Sequence, residues 1–173
     1  MLLLFANSFD HSLKELRTNL FMNWPTSILL TNVVATLFLV GLIWLIQVVH
    51  YPLFDDVGEQ NYVTYQQRHQ SNITYIVGPV MLIEIITAVM LAIYPVKGVG
   101  NTLVYVGIAL VVVIWLSTAF IQVPCHSKLV NGFDPAAYKW LVQSNWIRTI
   151  AWTGRGVIVT WMLVQVLGKS GSG

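Results

Sequence analysis

Ile28 to Val49, read in order as ILLTNVVATLFLVGLIWLIQVV, is the stretch that decides the fold. No Asp, Glu, Lys or Arg occurs anywhere between Arg17 and Asp55. A bilayer's hydrocarbon core, about 30 Å thick, needs about 20 such residues in helical form, because lipid offers backbone amides no partners. Three more stretches follow the same rule. Residues 73–94 close at Pro95 and hold one acid, Glu84; residues 102–123 are free of charge and close at Pro124; residues 146–167 hold Arg148 and Arg155. The pattern predicts an all-α integral membrane four-helix bundle, up-down-up-down, with both termini on one side. Its domain spans 28–168.

Composition agrees. Of 173 residues, 56% are apolar and 9% charged, where a soluble domain carries roughly 25% charged. Nine basic and seven acidic side chains cannot cover a water-facing surface of this size. A soluble enzyme, a nucleic-acid binder and a disordered linker are excluded together, and a net charge of +2 is too mild to imply a polyanionic partner. The single cysteine, Cys125, excludes an internal disulfide and a thiolate metal cluster.

Outside the spans, residues 1–27 read as an amphipathic interfacial segment. Phe5, Phe9, Leu13, Leu16 and Leu20 recur at helical spacing opposite Asp10, Lys14 and Arg17, and Trp24-Pro25 marks the bend into the membrane. The apolar start precedes the basic residues, the reverse of a signal peptide. Residues 169–173 have the Gly/Ser composition of a flexible tail. The connections at 51–72 and 124–145 each predict a turn and then a short interfacial helix, the second capped by Asp134 and opened by Pro135. Gln47 and Gln122, Phe54-Asp55 and Phe133-Asp134, and Gln70-Ser71-Asn72 and Gln143-Ser144-Asn145 occur in the same order in both halves. A duplicated hairpin and chance similarity in a biased composition both account for this.

Polar residues within spans need a partner or a purpose. In an up-down-up-down bundle, His50, His69, His126, Asn145 and Arg148 all fall at the end that holds the long connections. Three of the four histidines converge there, leaving only His11 elsewhere. Tyr51, Tyr65, Gln47 and Gln122 stand close to them in sequence. One reading makes His50, His69 and His126 ligands of a metal ion or haem iron, with Arg148, Tyr51 and Gln122 holding the cofactor. The other makes the cluster a metal-free hydrogen-bonded network. Glu84 lies roughly 16 Å into the second span and Arg155 roughly 14 Å into the fourth, at 1.5 Å per residue from the same side. Matched depths predict a buried Glu84–Arg155 pair, either a structural lock or a proton-handling site with Arg148 and Arg155 binding the acidic part of a substrate.

The run His50-Tyr51-Pro52-Leu53-Phe54, then Tyr65, His69, Gly78-Pro79 and Glu84, resembles small bacterial four-span membrane proteins, as do Gln122-Val123-Pro124-Cys125-His126 and Asn145-Trp146-Ile147-Arg148-Thr149. Those proteins are in turn similar to the anthrone-oxygenase-like membrane proteins. The resemblance covers about residues 30–165 and implies a bacterial inner-membrane location. It gathers the His and Arg positions into one site without assigning any residue a catalytic role.

Two functions follow as expectations. The first is a metal- or haem-binding redox or oxygenase-like protein using His50, His69 and His126 as ligands and Glu84, Arg148 and Arg155 as catalytic groups. The second is a non-enzymatic accessory subunit of a larger membrane complex or homo-oligomer, with no nucleic acid among its partners. Lys14, Arg17, Lys97 and Lys169 lie on the termini side, and Arg68, Lys128, Lys139 and Arg148 on the other. That tie breaks toward cytoplasmic termini if Arg148 is buried.

Overall fold

A computed structural model describes residues 24–170. The amphipathic segment expected before Trp24, and His11 with it, lie outside the described residues. The chain forms α1 (Trp24–Leu45), α2 (Glu59–Ile93), α3 (Asn101–Ser117), α4 (Val123–Leu129) and α5 (Pro135–Ser170). No strand occurs among the described residues. Four helical stretches, Trp24–Phe54, Glu59–Ile93, Asn101–Leu129 and Pro135–Gly168, are long and apolar enough to cross a membrane.

Three sequence expectations change. The short interfacial helices expected in the two long connections are the opening turns of α2 and α5, which run unbroken into the spans. Nothing between Gln60 and Val77, or between Ala136 and Thr153, interrupts the backbone ladder: neither stretch holds Gly or Pro. The third span does not stop at Pro124. A π turn, Thr118–Gln122, carries α3 into α4 with Pro124 in the first turn. The wider turn, closed by Val123 N–H to the Thr118 carbonyl, gives room to a proline ring that would press on the carbonyl four residues back in an α-helix. Pro52 is handled in the same way: the π turn Ile46–His50 closes with Tyr51 N–H to Ile46 O at 2.9 Å. Last, α5 continues to Ser170, into the start of the Gly/Ser run where a tail was expected.

Asp134 caps α5, its Oδ1 accepting from the backbone N–H groups of Ala136 and Ala137 at 2.9 and 3.0 Å. The connection between α2 and α3 is a tight turn through Gly98, whose φ of 93° favours a residue without Cβ.

The helices pack as a bundle, α1 against α2 and α5, and α3 against α5 and α2. Asn32 on α1 meets Thr87 on α2, and His50, in the π turn that extends α1, meets His69 on α2. Gly107 on α3 meets Arg155 on α5, and Thr118, in the π turn that extends α3, meets Arg148 on α5. The core falls into three layers. Tyr51, Phe54, Tyr62 and Leu141 fill the long-connection end. Leu39, Met81, Ile114 and Trp152 fill the middle, and Leu29, Leu91, Val104 and Met162 the far end. Polarity is inverted relative to a water-soluble protein: Glu84 and Arg155 are at most 2% exposed while Val34 is 69% and Tyr75 78% exposed. Such a surface suits lipid.

Candidate functional site

Two polar groups occupy the interior, one above the other, with Trp152 between them. The deeper one is built on Glu84. Its Oε1 accepts from Arg155 Nε and from the Thr36 hydroxyl, both at 2.8 Å, and its Oε2 accepts from Trp152 Nε1 at 3.1 Å. The expected ion pair is therefore present. Arg155 spends its other nitrogens on the Gly107 carbonyl at 2.8 Å and Asn32 Oδ1 at 2.9 Å. Asn32 Nδ2 in turn donates to Thr87 Oγ1 and to the Glu84 carbonyl. A carboxylate with three donors and a guanidinium with three acceptors form a closed network tying α1, α2, α3 and α5 together. A Cβ on Gly107 would lie 2.9 Å from Arg155 Nη1, so a larger residue there would make the guanidinium shift within this network.

The second group sits at the long-connection end. His50 Nε2 and His69 Nδ1 share a hydrogen bond of 2.8 Å, and His126 Nε2 shares one of 3.0 Å with the Tyr51 hydroxyl. The His69 and His126 rings lie 5.5 Å apart, centre to centre, and Phe54 packs edge-on against His50 and His69. The structure thus brings the three imidazoles together. Several of their nitrogens are spent on one another or on Tyr51, and among the described residues no group of three or more His, Cys, Asp or Glu is arranged to hold a metal ion. Gln47 and Asn145 join the same end, Asn145 Nδ2 donating to Gln47 Oε1 at 2.7 Å.

Below the histidines lies a cavity of about 260 Å³. Leu39, Ile43, Met81, Trp115 and Trp152 make its apolar wall, and Tyr51, His69, His126, Gln122, Thr118 and Arg148 its polar end. That volume suits one ring or a short chain, below the roughly 300–1,000 Å³ of a drug-sized pocket. Arg148 is 7% exposed. Its Nε and Nη2 both donate to Asn145 Oδ1, its Nη1 donates to Thr118 Oγ1, and its guanidinium carbon lies 5.7 Å from the centre of the Trp152 ring. All of these partners are neutral, and no carboxylate among the described residues pairs with it. Three further buried polar atoms on residues lining this cavity or its rim have no hydrogen-bond partner among the described residues: His126 Nδ1, Trp115 Nε1 and Gln122 Oε1.

Of the expected site residues, His50, His69, His126, Tyr51, Gln122 and Arg148 share this end. Glu84 and Arg155 do not line the cavity; Trp152 separates them from it. Asn32, Thr36 and Thr87 were not foreseen, although Asn32 and Thr36 stand four apart on one face of a charge-free span, the signal by which both could have been found. Thr118 stands four residues before Gln122 and carries the same signal, whereas Trp115 carries none.

No family model, no curated protein and no solved structure matches the chain.

Proposed function

We propose that this chain is a multi-pass membrane protein that binds a small lipophilic acid, a carboxylate or a phenol on an apolar ring or short chain, in the cavity beneath the histidines. The observation that carries this reading is Arg148. A buried guanidinium surrounded by neutral groups is costly in a low-dielectric interior, and an anion brought by a ligand offsets that cost. The apolar wall takes the body of the molecule; Arg148, with Trp115 Nε1 beside the cavity, takes its acidic head.

The Tyr51–His126 pair supplies a hydrogen-bond acceptor for that head. With His126 Nε2–H donating to Tyr51, its Nδ1 keeps a free lone pair. A phenol or a protonated carboxylic acid in the cavity donates a hydrogen bond to that lone pair while its other oxygen lone pairs face Arg148. In this reading the four helices cross the bilayer up-down-up-down, with the histidines at the end opposite Trp24. Since Arg148 is buried, the remaining basic residues favour the other side as cytoplasmic, Lys14, Arg17, Lys97 and Lys169 against Arg68, Lys128 and Lys139.

The test uses the full chain in detergent and bromine-quenched tryptophan fluorescence. 4-Bromobenzoate is expected to quench saturably, because Trp115 and Trp152 line the cavity. Arg148→Met should weaken its binding about tenfold or more, the value of a charge-assisted hydrogen bond, while neutral 4-bromobenzyl alcohol changes little. Equal losses for the two probes, or no saturable quenching by the acid, would refute the reading and leave the polar cluster as packing, as an accessory subunit would have it.

A further inference from the structure

A second cavity, about 640 Å³ and open to the outside, runs between α1 and the first half of α2. Its lining changes character along its length. Near the long-connection end stand Asn61, Thr64, Arg68 and Asn72, spaced three or four apart and so on one face of α2. Further along, Leu42 and Leu45 of α1 and Val49 of the π turn that follows it line the groove with Ile73 and Ile76 of α2. Arg68 is exposed and makes no hydrogen bond or ion pair among the described residues. Ile76 lies eight residues beyond Arg68, so the polar and apolar ends are separated by about 12 Å along the helix axis.

We propose that this groove is a binding site for one anionic phospholipid, its phosphate on Arg68 and one acyl chain along Leu42, Leu45 and Ile76. The charge matches. The order matches as well, because the polar row lies at the end where the connecting segments emerge and the apolar rows run from there toward the middle of the bundle. A guanidinium takes a phosphate in two parallel hydrogen bonds, and Asn61 and Asn72 supply neutral donors on the same face. A soluble anion would engage Arg68 and leave the apolar half of the groove unfilled. This site shares Leu42, Ile46, His69 and Ile73 with the inner cavity as a common wall, but the proposal does not depend on what the inner cavity binds.

Native mass spectrometry of the delipidated full chain, titrated with phosphatidylglycerol and separately with diacylglycerol, tests it. The native chain should take up one phosphatidylglycerol with clear preference over diacylglycerol, which lacks the phosphate. Arg68→Gln should weaken phosphatidylglycerol binding about fivefold, the worth of one basic residue at an anionic surface, and leave diacylglycerol unaffected; Arg68→Lys should recover most of the loss. Ile76→Trp, which fills the apolar end, should weaken both lipids. Unchanged phosphatidylglycerol binding in Arg68→Gln overturns the proposal. So does displacement of the lipid by inorganic phosphate alone, which would assign the site to a free anion.

Discussion

Arg148 and Arg155 are the same residue type two turns apart on α5, yet their surroundings assign them different work. Arg155 has a carboxylate and two neutral acceptors; Arg148 has only neutral ones. Trp152, between them, is the hinge of this difference: its N–H serves Glu84 while its ring carries Arg148. Trp115 offers a second indole at the cavity, its N–H without a partner among the described residues. The two tryptophans therefore make a matched experiment. Trp152→Phe strips one donor from a buried carboxylate and should destabilise the chain by about 1.5–3 kcal/mol beyond the loss of ring volume. Trp115→Phe removes an N–H that bonds to nothing, so only the volume loss remains. Unfolding of both variants in a denaturing detergent series measures the difference; equal losses would mean that the Trp152–Glu84 bond contributes nothing.

At the scale of elements, what the sequence revealed depended on which signal each boundary uses. The four long apolar helices were legible because a helix able to cross lipid demands a long uncharged run, and the α5 start was legible because Asp134-Pro135 is a cap followed by a first-turn proline. The full lengths of α2 and α5 were not. Hydropathy falls at Ile73 and Trp146 going outward, but backbone hydrogen bonding is indifferent to side-chain polarity and continues until something breaks it. Pro124 misled for the opposite reason: proline usually ends a helix, and here a π turn absorbs it. The α5 cap gives the prediction at this scale. Asp134→Ala leaves the N–H groups of Ala136 and Ala137 without their acceptor and should cost about 1 kcal/mol, while Asp134→Asn should retain most of the stability. Thermal unfolding of the two variants checks the order, and an Asn variant as weak as the Ala variant would point to charge in place of capping.

Over the whole molecule, the Glu84–Arg155 network is the polar connection that joins all four long helices, and the pair at its centre was legible from depth alone: two opposite charges too deep to reach water, on different spans, at matched levels. Its neutral members were harder to read, because an uncharged Thr or Asn does not call for an opposite charge at matched depth on another helix. They alter the outcome of breaking the pair. Glu84→Gln leaves Arg155 without its counter-charge, and Arg155→Met leaves Glu84 with only the Thr36 and Trp152 donors; each should cost about 3–5 kcal/mol. Removing both charges in Glu84→Leu/Arg155→Met takes away the uncompensated ion, so the double variant should be more stable than either single one. It should still fall short of the native chain, since Asn32 Oδ1, the Gly107 carbonyl and the Trp152 N–H each lose a partner. Direct contact predicts a coupling of about 0.5–3 kcal/mol, read as the shortfall of the double variant's loss from the sum of the single losses. Simple additivity would show the pair to be energetically independent despite its 2.8 Å contact. Because Trp152 screens this network from the inner cavity, the double variant should also keep its affinity for 4-bromobenzoate within about twofold. A larger loss would mean that the lock positions Trp152, and through it Arg148, for binding.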